Sequence, residues 1–404
     1  MPVTLWILSR CSRYQPTQHS KTANKHMKIK NTLSALLFAT TCLLSASSGF
    51  AQIEAAPWYL TGTLGNDFNG PRDRSPDISK EDSDEDFEVV EVIGTDRAET
   101  VTIRLFTENN RDRVEIQVDY LDRDGDEEST DREYDLDDVD FVAFAGFGGN
   151  DRVTVVTDQS FSVTSEFLLN DRPNPFGFYC LLGDGDDQFS NHSALASYAE
   201  GGHGRDTLRG GSNSDILRGN PVGHVHPFYG HSFADDAMDY VAGNGGDDLL
   251  IGEIVDGGPG DDILLGGDVR DGLLFSMLAF GGDGNDWIEG SPGVDIIYGG
   301  PGNDVIVGLE GENTIYGGDG HDLLFAAFVE EFNLSNAGSL IMGEEGNDVM
   351  IGSSNDDELH GGNGDDEVFG QHGNDLIRGG SGNIQAVRWV RKRYACRRSR
   401  LRLA

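Results

Sequence analysis

Residues 281–307 read GGDGNDWIEGSPGVDIIYGGPGNDVIV; cut every nine residues, the stretch becomes GGDGNDWIE, GSPGVDIIY and GGPGNDVIV. The unit GGxGxDxUx, with U aliphatic, can be followed from about residue 146 to 383. Strong copies stand at 201–209, 257–265, 281–289, 299–307, 317–325 and 361–369. Weaker ones stand at 210–218, 243–251, 290–298, 343–351, 352–360 and 370–378, and degenerate ones at 146–154 (GFGGNDRVT) and 182–190 (LGDGDDQFS). Two runs, 281–325 and 343–378, keep the nine-residue spacing without a break, which chance does not produce. A short fixed period means one small unit stacked many times.

The first six residues of the unit exclude helix, because each glycine costs about 1 kcal/mol there. Glycine permits positive φ and close backbone approach, so GGxGxD is a tight turn with carbonyls and one carboxylate aimed at a common point. The last three residues place an aliphatic side chain at position eight, as in Leu208, Leu264, Ile288, Ile306, Ile315, Leu324 and Val368. A three-residue strand with one inward side chain has no core of its own. It acquires one by stacking on its neighbours, which is the logic of a solenoid.

Position six recurs as Asp206, Asp215, Asp248, Asp262, Asp286, Asp295, Asp304, Asp322, Asp348, Asp357, Asp366 and Asp375. Stacked strands lie about 4.8 Å apart, so a column of bare carboxylates would force the coils apart. The whole chain aggravates the problem. It carries 70 acidic against 30 basic residues, and all the acids lie in 52–383. Such a segment repels itself and is a poor partner for nucleic acid. Its hydrophobic fraction of 37% is low for one large globular core. Divalent cations between successive turns convert the repulsion into attraction. An all-oxygen donor set with backbone carbonyls suits Ca²⁺; Mg²⁺ demands tighter octahedral geometry, and zinc would want His or Cys.

The repeat resembles the calcium-binding nonapeptide of the repeats-in-toxin, or haemolysin-type, family of bacterial secreted proteins, over roughly 146–383. The resemblance implies an all-β fold, a parallel β-roll in which two nonapeptides make one turn. It implies several Ca²⁺ ions held by the position-six aspartates named above and by main-chain carbonyls. Asn313 replaces the aspartate in GLEGENTIY (308–316), which weakens that site. Asn213 and Asn355 stand where the glycine of position four belongs, and asparagine tolerates the left-handed conformation that the turn needs.

The rest of the chain divides around the roll, which is expected over 143–383. Residues 1–51 contain an upstream extension and, from Met27, a secretory signal pattern: Lys28 and Lys30, an apolar run at 33–44, then small residues up to Ala51. Residues 52–142 read as a small antiparallel β module, because 87–94, 100–107 and 113–121 alternate polar with β-branched or aromatic residues. DRDGDEESTDRE (122–133) matches an EF-hand loop at Asp122, Asp124, Asp126 and Glu133, but Glu127 stands where the glycine belongs, so an acidic hairpin turn is the reading. Loop inserts are expected at 219–242, 275–280 and 326–342. The first holds His224, His226 and His231 and the stretch GHSFA (230–234), without an HExxH helix or a complete G-x-S-x-G. In 384–404 the composition turns basic, with Ile384 where aspartate is due. That tail reads either as a reading-frame change that cuts the array mid-copy or as a basic arm.

The functional expectation is a secreted, non-enzymatic calcium-binding repeat protein, extracellular or at the cell surface. Its further partners would be surface or matrix polysaccharide or protein, with no transmembrane segment once the signal is removed. The rival expectation is the secretion and folding module of a truncated extracellular enzyme or toxin of the protease, lipase, epimerase or haemolysin type.

Overall fold

The computed structural model describes residues 75–82, 88–159, 161, 177–219, 238–266, 276–327, 338–383 and 385–388. All of these lie within one compact unit, 60–404. The signal-like segment, His224, His226, His231, Ile384, Cys396 and the tail beyond Arg388 lie outside the described residues.

The chain is an all-β parallel roll built from two sheets of fourteen strands each. The first strands are β1 (Asp77–Asp82), β2 (Glu88–Ile93), β3 (Glu99–Glu108), β4 (Arg111–Leu121), β5 (Glu127–Asp135), β6 (Phe141–Ala145), β7 (Arg152–Thr157), β8 (Phe178–Asp184) and β9 (Gln188–Asn191). From β6 onward the chain alternates between the sheets, and each strand pairs in parallel with the strand one coil earlier. In the regular runs a coil takes eighteen residues, as in Trp287↔Val305 and Ile296↔Thr314, whereas the coil from Leu249 to Ile263 takes fourteen. The eighteen-residue coil is two nonapeptides, one strand in each sheet.

Position eight forms the core. On one sheet Leu264, Ile288, Ile306, Leu324, Met350 and Val368 stack in register; on the other Ile297, Ile315, Ile341 and Leu359 do so, all fully buried. Each contributes on the order of 1.5–3 kcal/mol by leaving water, but only because neighbouring coils cover it above and below. Cys180 points into the same core and is a free thiol.

The stack does not start at residue 143. β2 pairs in parallel with β6, and β3 with β7, so β2 and β3 supply strands to the same two sheets. The antiparallel character of this region comes from β1 on β2 and from the meander β3–β4–β5. Alternation along a strand shows that one face is buried; it does not show the direction of the neighbour. The acidic stretch at 122–126 is the turn between β4 and β5, with Asp122 Oδ1 accepting the N–H groups of Asp124 and Asp126 at 2.9 Å each.

The last residues of the three expected inserts rejoin the ladder. Tyr240 pairs with Ile254, Leu278 with Ile254 and Ile296, and Leu340 with Thr314. All three fall between a strand of the first sheet and the next strand of the second. Beyond the last copy, Gln385–Arg388 adds one more parallel strand, against Glu367–Gln371.

Glycine is indispensable where coils touch through backbone. Gly302, at position four, has φ 155°, and a Cβ there would strike the carbonyl of Gly284 in the coil below. Gly245, at position three, has only Pro259 O nearby, at 3.7 Å. Gly302→Ala therefore lowers the thermal midpoint of the calcium-loaded chain by several degrees, through overpacking that costs about 1–3 kcal/mol, whereas Gly245→Ala leaves it within a degree or so. Differential scanning calorimetry of the two variants checks this.

Candidate metal centre

The position-six residues fall into two columns, one along each edge of the roll. Where the chain passes from the second sheet to the first, Asp215, Asp248, Asp262, Asp286, Asp304, Asp322, Asp348 and Asp366 precede successive strands. On the opposite edge stand Asp206, Asp295, Asp357 and Asp375, with Asn313 between. All of these are buried.

One hydrogen-bond pattern runs up both columns. From Asp215 to Asp348 the N–H of each position-six residue on the first edge donates to Oδ1 of its counterpart one coil later, as in Asp262 to Asp286, Asp286 to Asp304 and Asp304 to Asp322, each at 2.9 Å; on the second edge the Asn313 N–H meets Ser339 Oγ instead, at 3.3 Å. These charge-assisted bonds fix every carboxylate and satisfy one oxygen.

The second oxygen separates two kinds of turn. For Asp248, Asp262, Asp286, Asp304, Asp322, Asp348 and Asp366, Oδ2 is buried with no hydrogen-bond partner. In each of these turns the position-one glycine leaves open a small space that a Cβ would fill, bounded by that Oδ2 and by the position-one carbonyl of the next coil. Beside Gly281, for example, those oxygens belong to Asp286 and Gly299. Positions two and four take positive φ in all seven turns, even where position two is Asn244 (72°) or Glu344 (75°). An unpartnered buried carboxylate oxygen is expensive unless a positive charge meets it. The donor set is one carboxylate oxygen with backbone carbonyls, which fits a hard cation such as Ca²⁺.

The second kind of turn satisfies itself. Asp215 Oδ2 accepts the Gly211 N–H at 2.7 Å, Asp295 Oδ2 the Ser291 N–H at 2.9 Å, and Asp357 Oδ2 the Ser353 N–H at 2.6 Å. Serine hydroxyls from Ser197, Ser291 and Ser353 donate to the same carboxylates. Asn213 and Asn355 do not adopt the left-handed conformation expected of them; these turns are built differently. Asn313 goes further. Its Oδ1 accepts the Asp295 N–H at 3.0 Å, as an aspartate would, while Nδ2 donates to Gly308 O at 2.7 Å and Glu310 O at 3.1 Å. Its amide protons thus meet a position-one carbonyl, that of Gly308, and the corresponding carbonyl of the next coil, that of Ala326 at 3.4 Å.

Five further buried acids belong to the second edge: Asp239 and Glu253, which continue the ladder from Asp206 (Asp206 N–H to Asp239 Oδ1 at 2.9 Å, Asp239 N–H to Glu253 Oε2 at 3.1 Å), and three at its N-terminal end. Of these three, Asp151 and Asp187 occupy position six of the two degenerate copies, and Glu99 opens β3; each is 1% exposed. The ladder links them: Glu99 N–H to Asp151 Oδ1 at 2.8 Å, Asp151 N–H to Asp187 Oδ1 at 2.6 Å, and Asp187 N–H to Asp206 Oδ1 at 2.9 Å.

Burial dominates the acidity of the columns. Loss of hydration pushes Asp248 up to about 9 and Asp304 to about 8, with Asp262, Asp286 and Asp322 at about 7 and Asp348 at about 6. Backbone N–H donors oppose the rise, and neighbouring carboxylates add to it.

The sequence model of the RTX calcium-binding nonapeptide repeat, four copies long, matches residues 198–221, 279–306, 298–328, 339–368 and 351–383. The chain thus carries RTX calcium-binding nonapeptide repeats across 198–383. No curated protein matches it.

Two outcomes follow for the metal-free chain and for the self-satisfied turns. The folded columns hold protons that the unfolded chain has released above about pH 4, so the stability of the metal-free roll falls as pH rises from about 4 to about 9. In chelator, circular dichroism and small-angle scattering should show an ordered, compact chain near pH 4.5 and an expanded one near pH 8.5. Asn313→Asp turns a carboxylate oxygen toward the Gly308 and Glu310 carbonyls. It should raise the Ca²⁺ count by one per chain in equilibrium dialysis and lower stability in chelator.

Proposed function

Because residues 198–383 carry RTX calcium-binding nonapeptide repeats, we propose that this is an exported, non-enzymatic protein whose roll folds on Ca²⁺ and then serves calcium-dependent attachment to a cell surface or matrix. The observation that carries the calcium-coupled part is the run of seven successive aspartates, Asp248 to Asp366, each with one buried oxygen lacking a hydrogen-bond partner beside the position-one carbonyl of the next coil. Bound Ca²⁺ supplies the positive charge that the columns lack. The chain supplies the rest: Oδ1 of each aspartate braces the coil before it, Oδ2 and the position-one carbonyl would hold the ion, and position eight closes the core.

Binding energy then appears as folding energy, because the unfolded chain offers no such grouping of oxygens. Affinity of the extracellular kind, on the order of 10⁻⁴–10⁻³ M per site, suits a compartment where calcium is abundant. The export reading rests on the pattern from Met27 to Ala51, and the attachment role on the length of regular surface that a solenoid presents.

A far-UV circular dichroism titration of the full chain tests the folding claim. Ca²⁺ should drive a cooperative gain of β signal at neutral pH, with Mg²⁺ at equal concentration far less effective. Asp304→Asn, in the middle of the run, should shift the Ca²⁺ midpoint upward several-fold, and Asp295→Asn, whose carboxylate is already hydrogen-bonded on both oxygens, should shift it little. An equal response to both ions, or to neither, contradicts the reading. Protease, lipase and polysaccharide-modifying assays on the secreted protein separate attachment from the enzyme-module alternative.

A further inference from the structure

The N-terminal end of the roll, which the repeat model does not reach, contains a coil that reproduces the ion-facing geometry with different residues. Residues 94–102 read GTDRAETVT: Gly94 stands at position one, Glu99 at position six, and Val101, fully buried, at position eight. The next coil has Gly146, Asp151 and Val153 in the same places. Both turns leave a space at position one that a Cβ would fill. At Gly94 it is bounded by Glu99 Oε2 at 2.8 Å and by the carbonyls of Ala145 and Gly146 at 3.0 Å each. At Gly146 it is bounded by Asp151 Oδ2 and the carbonyl of Leu182. This is the same pairing of own carboxylate and next-coil carbonyl found beside Gly281 and Gly299.

The choice of glutamate has a reason. Position two is Thr95, whose N–H donates to Glu99 Oε1 at 3.2 Å and whose hydroxyl donates to the same oxygen. In the serine-bearing turns such bonds use up the aspartate, and Asp295 and Asp357 keep no open oxygen. The additional methylene of Glu99 lets Oε1 take the threonine while Oε2 stays without a partner. Asp151 Oδ2 is likewise buried without a partner, and the Glu99 and Asp151 side chains lie within hydrogen-bonding reach of each other. Two facing carboxylates, each 1% exposed, need either a shared proton or a cation.

We propose that Glu99 and Asp151, with the main-chain carbonyls of Gly146 and Leu182, form a divalent-cation site that takes Ca²⁺ and locks the N-terminal coils, outside the matched repeats; the Ala145 carbonyl already accepts the Gly94 N–H at 2.8 Å. The inference rests on the reading that the aspartate columns bind Ca²⁺, and one experiment separates the two. Hydrogen–deuterium exchange of the full chain, with and without Ca²⁺ at neutral pH, reads peptides from 88–157 and from 243–383 independently. Bound Ca²⁺ is counted in parallel by equilibrium dialysis for wild type, Glu99→Gln and Asp151→Asn.

The site predicts Ca²⁺-dependent protection in both regions. It also predicts at least one ion fewer per chain in each variant, with loss of the added protection at 88–157 and none at 243–383. Protection confined to 243–383, or a wild-type ion count in the variants, means a proton-sharing pair and overturns the proposal while leaving the roll's calcium binding intact. Absence of protection in both regions overturns both. Should Asp151→Asn lose its β signal, Glu99→Gln carries the same count, because an amide keeps an oxygen for Thr95.

Discussion

The structure depends on a buried negative charge that the protein itself does not neutralise. Each coil places a carboxylate at the mouth of its turn, and each carboxylate braces the coil before it through one oxygen. Among the seven turns from Asp248 to Asp366 the other oxygen has no donor from the chain. Along the regular repeats the hydrophobic core cannot offset this, since it is one side chain wide on each sheet, as at Ile288, Ile297, Ile306 and Ile315, and widens only toward the N-terminal strands, where Val101, Ile103 and Leu105 all point inward. On the proposed reading, cohesion between coils and neutralisation of the columns are one event.

The two edges of the roll divide the labour. On one edge, the seven turns from Asp248 to Asp366 run coil after coil with the same backbone and the same open oxygen. The other edge accommodates the three inserts, and several of its coils substitute internal hydrogen bonds for ions: Ser291 for Asp295, Ser353 for Asp357, and the Asn313 amide in place of a charge. A roll built this way keeps some rungs that need no metal, and those rungs lie on the edge where the three inserts fall.

Much of this was legible in the sequence, and the reason is periodicity. Nine-residue spacing identified the turn, the inward residue at position eight and the aspartate at position six, because a solenoid repeats the same local constraint in every coil. The assignment of those aspartates to two columns was not legible, since inserts change which edge a given copy reaches. Nor were the self-satisfied turns, because Asn213 and Asn355 read as left-handed substitutes for glycine when the serine- and glycine-bearing turns around them adopt another backbone. Glu99 was invisible for a different reason: its coil keeps one glycine and no aspartate at position six, so no pattern marks it, yet β3 pairs with β7 like any other rung. The signal that would have found it is the G-x₄-acid-x-aliphatic remnant GTDRAETV.

The most direct test of the central claim is a crystal structure of the chain grown with Ca²⁺, with anomalous scattering used to locate the ions. The account predicts a row of peaks beside Oδ2 of Asp248, Asp262, Asp286, Asp304, Asp322, Asp348 and Asp366, and no peak at Asn313. An ordered roll at neutral pH with no peaks along that edge would contradict it, for the carboxylates would then be held by something other than metal.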